Sequence, residues 1–457
     1  MNSENYQFSL PFQAYLCLAI TCLLLLGTPI SVISQTTTLS WDKTHGGSGW
    51  EELRSVTEAS DGSIMLLGAH TSTVSGSVST ASNGYNDYWL IKVNPLTGNK
   101  IWDQSYGGDI IDAAQEVHET PDGGFIIGGY SSSGANGNKS ESSAGGCWNC
   151  FDFWIVKTDA NGVQLWDETY NANGHDELNS IMPTSDGGYI LGGFSGSGMG
   201  LDKSEANKGG FDYWIIKTDS NGGIEWDRTI GGSANDFLFT VRETPDKGFI
   251  LGGYSISDMG LDKSQNSFGD FDYWIVKTDS LGTIEWDETY GGDENDLFAD
   301  IQVTQDGNFV MTGSSFSGMT GNKSEPRVGT IERDYWTLKI DPTGTILWDR
   351  TYGGDGRDQA YSVEQCENGN YLVGGLSQSG ANNDKTQPSQ GASDFWMVTL
   401  DGDGNKIKDI AFGGDGNDNL DHAYPMSNGD IVLGGFSASN MSGDKSEDNV
   451  ANNDTWT

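Results

Sequence analysis

The stretch "FDYWIVKTDSLGTIEWDETYGG", Phe271 to Gly292, restates "FDYWIIKTDSNGGIEWDRTIGG", Phe211 to Gly232, at a distance of 60 residues. Extending the comparison outward places Trp89, Trp154, Trp214, Trp274, Trp336, Trp396 and Trp456 in one register, at spacings of 65, 60, 60, 62, 60 and 60. A second register, on "WD", takes Trp41, Trp102, Trp166, Trp226, Trp286 and Trp348, with Lys408 of "IKD" as its degenerate seventh member. Self-similarity at a fixed period outranks any local propensity as a guide to architecture.

Each period divides into four strands. "DAAQEVHET" (Asp112 to Thr120) runs through the turn "PDGG" into "FIIGGY", and Asp-Gly between alternating apolar runs is a strong hairpin signal. After a long polar loop such as "GLDKSEANKGG" (Gly200 to Gly210), "DYWIIKTD" and "GIEWDRT" give a third and fourth strand about a D-x-x-G turn. The periods carry no helical heptads. Four antiparallel strands in about 60 residues make one blade of a β-propeller, since solenoid rungs are shorter and helical repeats are patterned differently. The expected fold is therefore all-β: a seven-bladed propeller of four-stranded antiparallel blades, with the recurring Trp, Ile and Phe packed between blades.

The register also predicts how the ring closes. The first copy opens on a fourth-type strand, "TTLSWDKT", and the last stops at "DTWT" (Asp454 to Thr457), inside a third-type strand. Pairing the N-terminal strand into the last blade hides two sheet edges that would otherwise stand open. The last copy is shorter than the others beyond its Trp, which reads as a C-terminal truncation of something longer.

Composition agrees with many short strands and tight turns. The 457 residues include 65 Gly, 15 Trp, 17 Tyr and 18 Phe. The formal charge is −41, from 65 acidic against 24 basic residues, and it repels phosphate backbones, so nucleic acid is excluded as a partner. The run "AYLCLAITCLLLLG" (Ala14 to Gly27) has the length of a signal-peptide core, and residues 1–34 are read as a signal with cleavage after Ser34. Residues 35–457 are then the propeller, and no later run is long and apolar enough to span a bilayer. This places the protein outside the cell, secreted or on the surface, as a monomeric ring.

Three cysteines remain after the signal. Cys147 and Cys150 in "CWNC" are read as a loop-stapling disulfide of an exported protein rather than a metal half-site, because no second C-x-x-C exists. Cys366 is read as a buried free thiol.

The D-x-x-G-x-x-x-W turns, as in "DSNGGIEW" (Asp219 to Trp226) and "DPTGTILW" (Asp341 to Trp348), resemble the tryptophan-docking motif of quinoprotein-type propellers. The whole period resembles the exported propeller-repeat proteins of the Bacteroidota, over residues 36–457. That resemblance implies a fold and an exported location; it is poor for activity, since propellers host many functions.

One acidic residue per period stands where the fourth strand hands over to the next first strand: Glu51, Asp112, Asp176, Asp236, Asp296, Asp358 and Asp418. The preferred reading is that each accepts backbone N–H bonds in its own loop. The sharper one is that they converge near the channel mouth and hold a hard cation such as Ca²⁺. The motif "DKSE" and its variants recur at Lys139, Lys203, Lys263, Lys323, Lys385 and Lys445 without the spacing or following helix of a phosphate loop. With the "GGD" handover loops they form one polar face. Variation within it, as in "CWNC" and "PRVGTIERD" (Pro326 to Asp334), marks where a ligand is expected. The five histidines, His45, His70, His118, His175 and His422, form no metal-spaced pair, and no catalytic residue or cofactor pocket is assigned. The leading functional reading is an extracellular, non-enzymatic module that binds or scaffolds a protein or glycan on the loop face. The alternatives are an extracellular carbohydrate-active enzyme, glycoside hydrolase or lyase, and the passive propeller portion of a larger surface protein.

Overall fold

The computed structural model describes residues 39–144, 150–329, 332–451 and 453–457. The chain forms two units, Met1–Ser40 and Trp41–Thr457, and the second carries all of the described strands. Residues 1–34, read above as a signal, and Cys147 lie outside the described residues.

Seven four-stranded antiparallel sheets follow one another along the chain. The first strand of each, Glu51–Glu58, Asp112–Glu119, Asp176–Pro183, Asp236–Glu243, Asp296–Val303, Asp358–Gln365 and Asp418–Pro425, adjoins the first strands of both neighbouring blades and so stands nearest the axis. The third strands, such as Asp212–Thr218 and Asp272–Thr278, are buried along their whole length. The fold is a seven-bladed β-propeller.

Blades are held to one another by aromatic pairs built from the "DYW" element. The Tyr or Phe of one blade lies on the Trp of the next: Tyr88 on Trp154 at a centroid distance of 4.7 Å, Phe153 on Trp214 at 4.6 Å, and so on to Phe395 on Trp456 at 4.7 Å. Such pairs contribute about 0.5–1.5 kcal/mol each beyond the area they bury. Within a blade, the same Trp donates its indole N–H to the "WD" aspartate, as Trp214 does to Asp227 at 3.1 Å. That carboxylate also accepts from the backbone N–H of Ser204 in the "DKSE" loop at 2.9 Å, so one Asp ties strand three, strand four and the long loop together.

The other Trp register faces the turns. Trp102 of blade one lies against Gly162 in the D-x-x-G turn of blade two, where an added Cβ would sit 2.8 Å from the ring and where φ is +75°. Glycine is required there twice, once for the left-handed backbone and once for the approach of the ring.

The ring closes as expected, with Thr44 opposite Trp456 and His45 opposite Thr455. The closing strands are shorter than anticipated: two residues, Thr44–His45, against three, Asp454–Trp456. Side chains extend the joint. Asp42 accepts from Trp456 and Ser446, Glu447 pairs with Lys43, and Lys445 donates to Thr44. At this seam Thr455 takes the place of the Tyr, and His70 packs on Trp89 instead, at 5.6 Å.

Cys150 is disulfide-bonded. Cys366 is free, as expected, but it is half-buried in the turn after the first strand of blade six rather than sealed in a strand.

Candidate functional site

The seven handover carboxylates stand one to a blade and are fully buried. Each is engaged where it stands. Asp236 accepts from the backbone N–H of Gly232 at 2.7 Å and from Ser257 Oγ at 3.1 Å, and Asp296 accepts from Gly292 at 2.7 Å and Ser317 at 2.8 Å. Glu51, Asp112, Asp358 and Asp418 repeat the pattern with Gly47, Gly108, Gly354 and Gly414, and Asp176 takes Ser197. Among the described residues no three or more His, Cys, Asp or Glu side chains are grouped to hold a metal ion.

Each handover carboxylate has a second one beside it, the "DYW" Asp of the preceding blade. Burial, followed by the facing charge among the causes that raise it, pushes Asp87, Asp152 and Asp272 up to about 7 and Asp334 to about 8. The "DKSE" lysine supplies the counter-charge from inside. Lys203 and Lys263 are each 1% exposed, donate to Thr229 and Thr289, and lie over Trp214 and Trp274 at 5.5 and 5.7 Å. The loop thus spends its lysine on the frame and does not display it.

One column that differs in every blade lies on the axis. Every first strand carries a register shift after its third residue, for example between Leu238 and Thr240 and between Ala360 and Ser362. The extra residue pairs with nothing in the ladder, as in a β-bulge. The seven bulge residues are Arg54, Gln115, Asn179, Phe239, Ala299, Tyr361 and Asp421, and all seven line one cavity of about 420 Å³. No two are alike.

The next residues along, Ser55, Glu116, Ser180, Thr240, Asp300, Ser362 and His422, also line the cavity and knit it together. Arg242 pairs with Glu116 at 3.1 Å and with Asp300 at 3.7 Å across the axis, and Ser180 Oγ donates to Glu116 at 2.8 Å. Although burial opposes it, Arg242 with the help of His118 holds the Glu116 carboxyl far below its usual range. Asp421 is the exception: burial pushes it up to about 7 despite Arg54 nearby, and its Oδ2 has no hydrogen-bond partner.

The mouth of this cavity on the loop face is equally uneven. In every seam the residue before "DYW" accepts a backbone hydrogen bond from the handover Asp or Glu of the next blade, so two variable positions meet there. The pairs run Asn453/Trp50, Asn86/Ile111, Phe151/His175, Phe211/Asn235, Phe271/Asn295, Arg333/Arg357 and Ser393/Asn417. From blade two to blade four the rim is aromatic: Phe151 meets His175 at 5.2 Å, Phe211 meets Phe237 at 5.4 Å and Phe271 meets Tyr254 at 5.0 Å. Past Phe316 it turns cationic. The expected "PRVGTIERD" loop contributes Arg333 to this rim; the bulge ring escaped the sequence reading.

No known sequence family matches the chain, and no curated protein does. Solved structures do. The chain is similar to the WD40 domain of Neurospora crassa Pan2, with 10% identity over 92% of this chain and 94% of that one and a TM-score of 0.49. It is also similar to a Bacteroides caccae protein of unknown function, with 8% identity over 80% and 94% and a TM-score of 0.39. A third is BamB from Moraxella catarrhalis, with 13% identity over 92% and 85% and a TM-score of 0.35.

Proposed function

We propose that the protein is an exported, non-enzymatic binding module that takes its ligand, a glycan or a protein segment, at the axial mouth on the loop face. One observation carries this: in a chain whose blades repeat the same frame seven times, seven residues of which no two are alike converge on one cavity of about 420 Å³. That volume falls in the range of sites for small molecules and sugar units. Its lining mixes amide, aromatic and charged groups, with Gln115, Asn179, Tyr361 and Asp421 on different blades facing one space. The export part of the reading is supported by the apolar N-terminal run and by the disulfide at Cys150, which suits an oxidising compartment.

A glycan-array screen of the purified chain, repeated with Ala299→Trp, tests it. Ala299 is a bulge residue outside every ladder, so the indole fills the cavity without touching the sheet. Retained folding with lost binding is expected. Binding that survives the filled cavity unchanged would place the ligand elsewhere and overturn the reading.

A further inference from the structure

The net charge of −41 makes any meeting of two unpaired arginines costly to arrange by accident of surface composition, because 65 carboxylates are at hand to pair with 24 cations. Three other arginines show this. Arg54 pairs with Glu52, Arg242 with Glu116 and Asp300, and Arg350 with Glu325. Arg333 and Arg357 do not: neither forms an ion pair among the described residues, and the Nε of each is buried without a hydrogen-bond partner. They occupy the one seam where both variable rim positions are charged, joined through the backbone bond from Asp358 N–H to Arg333 carbonyl at 2.9 Å.

Their surroundings join them to the cavity wall. Arg333 lies over the ring of Phe316 at 5.4 Å, which orients the guanidinium plane. Arg357 donates to Gln359, a cavity-lining residue, at 2.5 Å. Tyr361, the bulge residue of the same blade, also lines the cavity. Burial first, and then the charge of Arg357, hold Arg333 below its usual basicity, as expected for two cations facing one another.

We propose that Arg333 and Arg357 form an anion subsite at the channel mouth that receives the carboxylate of an acidic sugar unit. This deepens the binding-module reading and rests on it. Guanidinium forks match a carboxylate through their outer N–H groups, and an anion between the two relieves their mutual repulsion. A sugar is favoured as the bearer because the adjoining wall offers amides for hydroxyls, Gln115, Asn179 and Gln359, and the aromatic faces of Phe239 and Tyr361 for its C–H surface.

The test is isothermal titration of the full chain with tri-galacturonate, its methyl ester, galactotriose and a hexaglutamate peptide. Tri-galacturonate is expected to bind, with the ester and the neutral trisaccharide weaker by roughly tenfold or more, the size of a hydrogen-bonded charge interaction. Arg333→Gln and Arg357→Gln should each weaken the acid by a similar factor. Arg228→Gln, which removes an equal charge from beside Trp226, should leave it unchanged. Melting temperatures of the two glutamine variants should be no lower than that of the parent, since each relieves a like-charge contact, and this separates a lost site from a lost fold. Equal binding of acid and ester leaves the binding module standing and overturns the anion subsite. Unchanged affinity in both glutamine variants, preference for hexaglutamate, or no binding of any probe overturns it as well.

Discussion

Asp42 accepts a 3.3 Å hydrogen bond from the indole N–H of Trp456, 414 positions further along the chain. Six other blades make the same bond between residues 13 or 14 apart, as Trp214 does with Asp227 and Trp89 with Asp103. The seventh blade therefore reproduces a local motif with the two ends of the propeller. Asp42→Ala leaves the Trp456 and Ser446 N–H groups unpaired and should lower stability by about 2–4 kcal/mol in urea unfolding. Asp227→Ala should cost a similar amount. Only Asp42→Ala should also promote self-association in light scattering, because loosening the two-residue closing strand frees the edge of Asp454–Trp456.

Stability should rise as pH falls from 8 to about 5. Glu51, Asp87, Asp152 and Asp272 are raised to about 7, Asp212 to about 6 and Asp334 to about 8, chiefly by burial. Across that interval the folded state binds protons that the unfolded state does not, so each of these groups stabilises at low pH and loses its contribution as pH climbs through its folded value. His45 and His70, lowered to about 4 by burial, act in the opposite sense and lose stability as pH falls from 6.5 toward 4. Asp421, also raised to about 7, joins the first set, while Lys139, Lys203, Lys263 and Lys323, lowered to about 8 by burial, oppose it only near pH 8, so the carboxyls prevail and the melting temperature should be several degrees higher at pH 5 than at pH 8. Asp334→Asn should raise it at pH 8 and leave it nearly unchanged at pH 5; a flat pH profile would count against the assignment.

Lys263 sits between Asp236 and Asp272, whose charges pull its basicity up while burial brings it down to about 8. Blade one shows that the position tolerates an apolar side chain, since Val78 fills it. Lys263→Met should fold, but at pH 8 it strands two carboxylates and should cost about 3 kcal/mol. At pH 5 Asp272, raised to about 7 chiefly by burial, is protonated, and the loss should shrink. An equal cost at both pH values would mean that packing, and not charge, holds the lysine.

Blade interfaces interlock by size. A Cβ on Gly252 would lie 2.3 Å from Phe298 of the next blade, whereas in the following interface Thr312 stands at the glycine position and Ala360 at the phenylalanine position. Gly252→Thr should destabilise by overpacking and Phe298→Ala by leaving a cavity, each by about 2–4 kcal/mol. Together they copy the neighbouring interface, and the double variant should recover about 1–3 kcal/mol of the summed loss. Strict additivity would show that the two sites do not share that space.

The frame was legible in the sequence because it is written seven times. Trp214, Asp227 and the D-x-x-G turns recur at fixed offsets, and a period of 60 residues with Asp-Gly hairpins admits few architectures. The bulge ring was not legible for the opposite reason. Arg54, Gln115, Asn179, Phe239, Ala299, Tyr361 and Asp421 share no chemistry, and alignment by likeness passes over a column in which nothing is alike. A column in which no two copies agree, inside a strand that recurs in every period, was the available signal. The lysine of "DKSE" misled in a simpler way: a charged residue in a polar loop reads as exposed, and only coordinates reveal that Lys203 turns inward onto Trp214.

The residue at each bulge contributes no rung to its sheet. A substitution there alters the lining of the axial space without removing a rung from the sheet. On the binding-module reading, part of the axial lining can change at positions that carry no rung, so variation there costs the sheets less than variation at the paired positions beside them.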